Sequence, residues 1–404
     1  TVSYQRPLLF AMPLAVAAET AARLRDFTAA LCRMVTTVAR TYFEDEDLRR
    51  VIPLPAGLPA ADPALRSRQR FEVDLCRLDL YPTTDGSFRV LEVNANCPGG
   101  VINAGAAAAA WRQSLPRISG RLERMGFEEP GWMARRLLKA LPDAGGPGAC
   151  VPVFCESTGW QHETLEIAQT FRDLGFTSFV ADPGEVTHVE NSGVLVRGQV
   201  ARAGYQKISI QQLLAARQRA PGYFQALAAG DLAVQNGHLS RFITDSKLCL
   251  AVFSQERFRD RFAAADWDLV APHVPWSRNF ARCGERDRER ILRDPDGYVL
   301  KHPLDTRGAG VVVGRDRASE QDWRHAAGRA LREGWLVQEH VSPASVVRWP
   351  DDPVRYRHDI SVFASSGIVT GGFARSAAAW RVNVPAGGET HPLLFARTAR
   401  DAAA

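Results

Sequence analysis

Apolar positions recur at helical spacing from Glu19 onward. Leu24, Phe27, Leu31, Met34, Val35, Val38 and Tyr42 share one face before the acidic run EDED (44–47) ends the pattern. The spacing predicts an amphipathic helix packed on a core. Pro53 to Pro63 reads as a Pro/Ala-rich connection. Beyond it, FEVDLCRLDLY (71–81) and FRVLEVN (88–94) flank the turn TTDGS, which predicts an antiparallel β-hairpin.

A Gly/Pro cluster, PDAGGPGA (142–149), marks a first domain boundary. After it, CVPVFC reads as a buried strand, STGWQHETLEIAQTFRDLG as a helix ending at Gly175, and FTSFVA as the next strand. A strand, helix, strand unit of this length implies a parallel sheet in a small α/β domain. Periodicity weakens near 220–236, where the second boundary is expected. The remainder is read mostly as short strands: YVLKHP (298–303), GVVVG (310–314), WLVQEHV (335–341), DISVFAS (359–365) and IVTGGFA (368–374). The fold class expected is mixed α/β (α+β) in three parts, 1–148, 149–236 and 237–404. No internal repeat is visible.

Composition narrows the class. The chain has 404 residues, 46% apolar and 24% charged, with 32 Gly in no periodic pattern, so collagen, coiled coil and wholesale disorder are excluded. A net charge of +5 spread along the whole length does not ask for a nucleic-acid partner. Only four of the 50 basic residues are lysine, at 139, 207, 247 and 301. A lysine that survives such a bias marks a place where arginine does not serve. Seven cysteines without a CxxC pair read as reduced thiols, and a cytoplasmic location is expected. Arg6 followed by PLLFAMPLAVAA faintly resembles a signal peptide, but two prolines interrupt it, and a first strand or loop is expected instead. No apolar run reaches the roughly 18 residues that a membrane span needs.

Glu92 and Asn94 end a strand with period-2 alternation, which sends both to one face. Adjacent oxygen ligands suit Mg2+, which takes one or two carboxylates plus substrate phosphates and water. A strand end capping its loop is the plainer reading of the tripeptide alone. In YVLKHPLDTRGAGVVVG (298–314), a strand delivers Lys301, Asp305 follows, and Gly308 and Gly310 let backbone N–H groups approach phosphates. A hairpin turn containing glycine explains it equally well. WLVQEHV offers a strand and linker whose backbone can pair with an adenine edge, Asp359 opens a strand where a ribose hydroxyl can be held, and Lys247 begins a helical run. Cys97 reads as a small residue in a tight loop rather than a nucleophile, since no histidine neighbours it in sequence. His162 and Glu163 read as helix-start residues or substrate contacts.

In this order the motifs resemble the ATP-grasp ligases, in particular the circularly permuted branch of eukaryotic-type glutathione synthetase and glutathionylspermidine synthetase-like enzymes. LEVNANCPGG is similar to that branch's metal-binding strand, and Arg77-Leu-Asp79 to its Arg-x-Asp on the preceding strand. VLKHPLDTRGAG is similar to its lysine, acid and glycine-rich loop, LVQEHV to its adenine linker, and GGFARSAAAWRVNVPAGGE to its closing substrate segment. The motifs span about residues 75–390.

The resemblance implies an ATP-grasp fold divided as an N-terminal part with the metal strand (1–148), a Rossmann-like substrate domain (149–236) and a C-terminal part with the nucleotide site and a glycine-rich lid (237–404). It implies ATP and Mg2+ as cofactors, with Glu92, Asn94 and Asp305 as metal ligands. Lys247, Lys301, Gly308 and Gly310 would meet the phosphates, Gln338, Glu339 and Val341 the adenine, Asp359 the ribose, and Arg77 and Arg375 the carboxylate or acyl phosphate. The expected function is an ATP-dependent carboxylate-amine ligase acting through an acyl phosphate on a small amino-acid-like carboxylate. Its partners are small-molecule carboxylate and amine substrates, with no nucleic acid or membrane and a homodimer left open. Alternatives are a phosphotransferase acting on a hydroxyl and a non-catalytic nucleotide-binding module. Several positions depart from the family: Thr306 and Arg307 separate the acid from the glycines, and Asn96, Cys97 and Pro98 stand where glutathione synthetase has small hydroxyl residues. Ala377 stands where it has a basic one. These departures point away from glutathione's own precursors.

Overall fold

The computed structural model describes residues 13–55, 58, 69–141, 144–156, 161–306, 308–347, 351–380, 382 and 387–397. The Arg6 segment as far as residue 12, most of the Pro53 to Pro63 connection, Pro142, Asp143 and Arg307 lie outside them.

The amphipathic pattern folds as the helix Ala18–Thr41, with Leu24, Phe27, Leu31, Val35 and Val38 buried on one side. The hairpin forms as Leu75–Pro82 and Phe88–Asn94, antiparallel, with Arg77 opposite Asn94 and Asp79 opposite Glu92. It sits at the edge of a seven-stranded sheet. Leu75–Pro82 pairs with Tyr356–Ser365, which pairs with Ile368–Ala377 and then Glu389–Phe395; Leu14–Val16 closes the far edge in parallel. Ser345–Val346 pairs with Tyr356–Ser365. These pairings bring the first 100 residues and the last 50 into one sheet, and its apolar face packs into the largest hydrophobic core of the molecule.

The expected parallel sheet is present. Its order is Ala233–Val234, Ala203–Gln206, Val153–Phe154 and Val180–Ala181, all parallel. The ladder extends beyond the named strands, as Val151 and Cys155 donate to Thr177 and Ala181. The helix Gln161–Asp173 joins the inner strand Val153–Phe154 to the edge strand Val180–Ala181, as read. The stretch near 220–236, read as a fading pattern, is instead the helix Pro221–Ala229 and a strand of this sheet. The helix is mostly apolar, with Tyr223, Ala226 and Leu227 buried, so no amphipathic period shows in its sequence. A three-stranded meander, Thr187–Val189, Gly193–Val196 and Gln199–Ala201, is attached.

A second antiparallel sheet carries the glycine-containing segment: Ser277–Asn279, Leu336–Glu339, Tyr298–Lys301 and Val311–Val313. The helix Glu320–Glu333, with Trp323 and Ala327 buried, packs on a small core of its own with Tyr298, Leu300 and Val337. Among the described residues no helix is long and apolar enough to cross a membrane.

Candidate functional site

One cavity is lined by residues of the seven-stranded sheet and of the four-stranded sheet that carries the glycine-containing segment. Arg77, Asp79, Glu92, Asn94, Asp359 and Arg375 come from the larger sheet. Lys301, Gln338 and Glu339, with Val299, Val311 and Val313, come from the smaller one, and Lys247, Asp305, Gly308 and Val341 complete the wall. Of the residues that the resemblance assigns to metal, nucleotide or acyl group, all but Gly310 are part of the lining.

At one end stand two lysines. Lys247 Nζ lies 3.3 Å from Glu92 Oε2 and donates to Asp305 O at 2.7 Å, so it ties the hairpin strand to the glycine loop. Lys301 Nζ donates to Leu91 O (2.9 Å) and to Gln338 Oε1 (2.7 Å). Burial pulls Lys301 down to about 8, with Lys247 pushing the same way and Glu92 opposing. Asn94 Nδ2 lies 3.4 Å from Glu92 Oε1, as period-2 alternation requires.

At the other end four charges close on one another. Arg77 grips Asp79 through two N–H groups (2.7 and 2.9 Å) and donates to Gly99 O. Arg375 reaches Asp79 at 2.9 Å and Asp359 at 2.6 Å, and Ser361 Oγ also donates to Asp79. Burial favours a neutral Asp79, but Arg77 and Arg375 outweigh it and hold the carboxyl well below the usual range. For Asp359 burial wins, with Asp79's charge adding to it, and it rises to about 6 despite Arg375.

Three of these residues have further partners in the structure. Gln338 does not offer its backbone to a base, because it sits mid-ladder between Ser277 and Val299; its side chain instead orients Lys301 and donates to Ser277 Oγ. Both oxygens of Asp359 are engaged by Arg375, so this carboxylate is already an arginine partner. Gly310, at φ +65°, serves Asp305: a Cβ there would come within 2.5 Å of Asp305 Oδ2, so the position needs both the backbone freedom and the space.

Sequence reasoning missed the groups behind the site. Asp245 Oδ1 accepts from Ala95 N and Asn96 N (2.7 and 2.9 Å), fixing the exit of the Glu92–Asn94 strand two residues before Lys247. Glu163, read as a helix-start residue, is buried, accepts from Gly100 N and Val101 N, and pairs with the fully buried Lys207 at 2.9 Å. His162 stays exposed beside Glu166. The rarity of lysine was the one signal that pointed to Lys207. Cys97 Sγ donates to Ile208 O, and burial pushes its thiol up to about 11, which disfavours the thiolate a nucleophile needs.

Among the described residues no three His, Cys, Asp or Glu side chains are grouped so as to hold a metal ion. Glu92, Asn94 and Asp305 supply two carboxylates and an amide, and one ammonium, Lys247, spans Glu92 and the Asp305 backbone. That donor set suits an ion which completes its shell with phosphate and water, as Mg2+ does.

No family model matches the chain, and no curated protein matches it. Among solved structures it is similar to the apo form of a glutathione synthetase-like effector from Globodera pallida, with a TM-score of 0.63 over 96% of this chain and 90% of that one, at 12% identity. At that identity the likeness is one of fold: the chain has a glutathione synthetase-like mixed α/β fold.

Proposed function

We propose that the chain is an ATP-grasp ligase of the circularly permuted kind, joining a small amino-acid-like carboxylate to an amine at the expense of ATP. The observation that carries this reading is the meeting of Lys247 and Lys301, from different elements, over Glu92 and Asn94 in a single cavity between two antiparallel sheets. The fold likeness and the parallel sheet between Val153 and Val234 support the division into 1–148, a substrate unit 149–236, and 237–404.

In this reading the triphosphate lies between the two ammonium groups, and the Val299, Val311, Val313 and Val341 lining takes the planar base. Glu339 and Val341, at the exit of their strand, meet its edge. Glu92, Asn94 and Asp305 hold Mg2+, which when bound neutralises charge on the phosphates. Gln338 keeps Lys301 aimed, and Arg375 Nη1, which makes no hydrogen bond among the described residues, faces the acyl donor. The substrate carboxylate attacks the γ-phosphorus in line and displaces ADP; the amine then attacks the acyl carbon, the bond to the phosphate oxygen breaks, and phosphate leaves as the amine gives up a proton to it or to water. The chain contributes position and fixed charge rather than a nucleophile. The loop carrying Gly308 covers the phosphates and keeps water from the acyl phosphate.

The test supplies amino acids and small amines pairwise and measures ATP-dependent phosphate release, with mass spectrometry of the product. Release that needs both an acid and an amine, with an amide product, supports the ligase. Release with a hydroxyl acceptor and no amide favours a phosphotransferase, and tight ATP binding with no turnover under any pair favours a binding module.

A further inference from the structure

The parallel strand Ala203–Gln206 runs at its carboxyl end into a short stretch, Lys207–Gln211, that touches both loops of the cavity. On one side Lys207 Nζ donates to Pro98 O (2.7 Å) and Cys97 O (3.3 Å), and Ile208 O accepts from Asn96 Nδ2 (2.9 Å). The stretch thus grips the chain leaving the Glu92–Asn94 strand. On the other side Gln211 Nε2 donates to Leu304 O and to Asp305 Oδ1, both at 2.6 Å. Between these contacts Ser209 caps the helix Ile210–Ala215: its hydroxyl accepts from Gln212 N, and Gln212 Oε1 accepts from Ser209 N. Reciprocal capping of this kind fixes the first turn, so Gln211 projects from a rigid base.

The two oxygens of Asp305 are in different situations. Oδ1 is held by Gln211 and faced by His302 Nδ1 at 3.2 Å. Oδ2 lies against the space that Gly310 leaves open, and no hydrogen bond ends on it among the described residues. A carboxylate on a loop has rotamer freedom that a donor on one oxygen removes. The choice of donor matters in a chain so rich in arginine. A cation at position 211 would neutralise Asp305 and repel a divalent ion, whereas an amide N–H orients the carboxylate and leaves its charge available.

Resting on the nucleotide reading above, we infer that Gln211 is a positioning residue for Asp305. It holds Oδ1 so that Oδ2 is presented to the metal ion shared with Glu92 and Asn94, and Lys207–Gln211 sets the separation between the two metal-bearing loops. Groups that orient a metal ligand in this way typically govern metal affinity by about tenfold or more.

The test is a Mn2+ titration followed by electron paramagnetic resonance on the full chain, with a β,γ-imido ATP analogue present, for the unaltered protein, Gln211→Met, Gln211→Ala and Asp305→Asn. Both Gln211 variants are expected to raise the Mn2+ dissociation constant about tenfold, to bind the analogue unchanged in EDTA, and to keep the circular dichroism of the parent. Asp305→Asn is expected to lose at least as much. Parental Mn2+ affinity in both Gln211 variants would overturn the inference, as would an equal loss of analogue binding in EDTA, which marks a merely structural role. If Asp305→Asn binds Mn2+ like the parent, Asp305 is no ligand and the inference falls while the nucleotide reading stands. If the unaltered chain fails to bind the analogue, both fall.

Discussion

The two ends of the cavity both bring cations together, but they differ in what neutralises them. Arg77 and Arg375 meet two aspartates in a closed network, Asp79 and Asp359, with Ser361 donating from below. Lys247 has Glu92 as its ion-pair partner, and the two lysines otherwise donate to neutral acceptors: Asp305 O, Leu91 O and Gln338 Oε1. The arginine end is a rigid, self-compensated platform. The lysine end leaves its two ammonium groups without a bidentate carboxylate partner in a partly buried place, where the effective dielectric is low and a polyanion gains most. A compact ammonium also fits between phosphate oxygens where a planar guanidinium does not. The difference indicates which end receives phosphate and which end shapes the site.

The sharpest way to break this contrast is to remove the lysine end. Glu92→Ala or Lys301→Ala is expected to lower ATP-dependent phosphate release below about 1% of the parent, with an unchanged thermal midpoint. Full activity in both variants contradicts the assignment. At the arginine end the expected loss is of stability. Asp79→Ala leaves two buried guanidinium groups short of a counter-charge and should cost about 3–5 kcal/mol in urea unfolding; a cost below about 1 kcal/mol would mean the network is solvated.

A smaller effect separates the ends by pH. Lys301 is depressed to about 8, so it is charged below that value and neutral above it. Polyphosphate binds the charged form, so ATP affinity should be flat below about pH 7 and decline as pH rises through 8, whereas arginines hold their charge across this range. Constant affinity from pH 7 to 9.5 would mean that Lys301 either keeps its charge across this range or does not meet the phosphates. Smallest of all, Cys97→Ser should leave phosphate release within about twofold, since its thiol stays protonated. Loss of all activity would revive a covalent route.

Much of the larger sheet was legible because its strands and the helix Ala18–Thr41 are half-buried and keep their periods. The same alternation put Glu92 with Asn94 and Arg77 with Asp79 on one face, so these pairs could be read from the sequence. The stretch 220–236 was not legible, because an apolar helix packed into the parallel sheet has no polar face to mark its period. Nor were Asp245, Lys207 and Gln211. Asp245 serves Ala95 across 150 residues of chain and Gln211 serves Asp305 across 94, and such contacts leave no local spacing. Composition reached further than motif here: of four lysines, Lys207, Lys247 and Lys301 are buried in or behind the cavity, and only Lys139 is exposed on a helix.

The most direct measurement is equilibrium binding of ATP with Mg2+ by isothermal titration calorimetry to the parent, Lys301→Met and Arg77→Met. One ATP per chain is expected for the parent and for Arg77→Met, with binding lost in Lys301→Met. Undiminished binding in Lys301→Met, or loss only when the arginine is removed, would contradict the placement of phosphate at the lysine end.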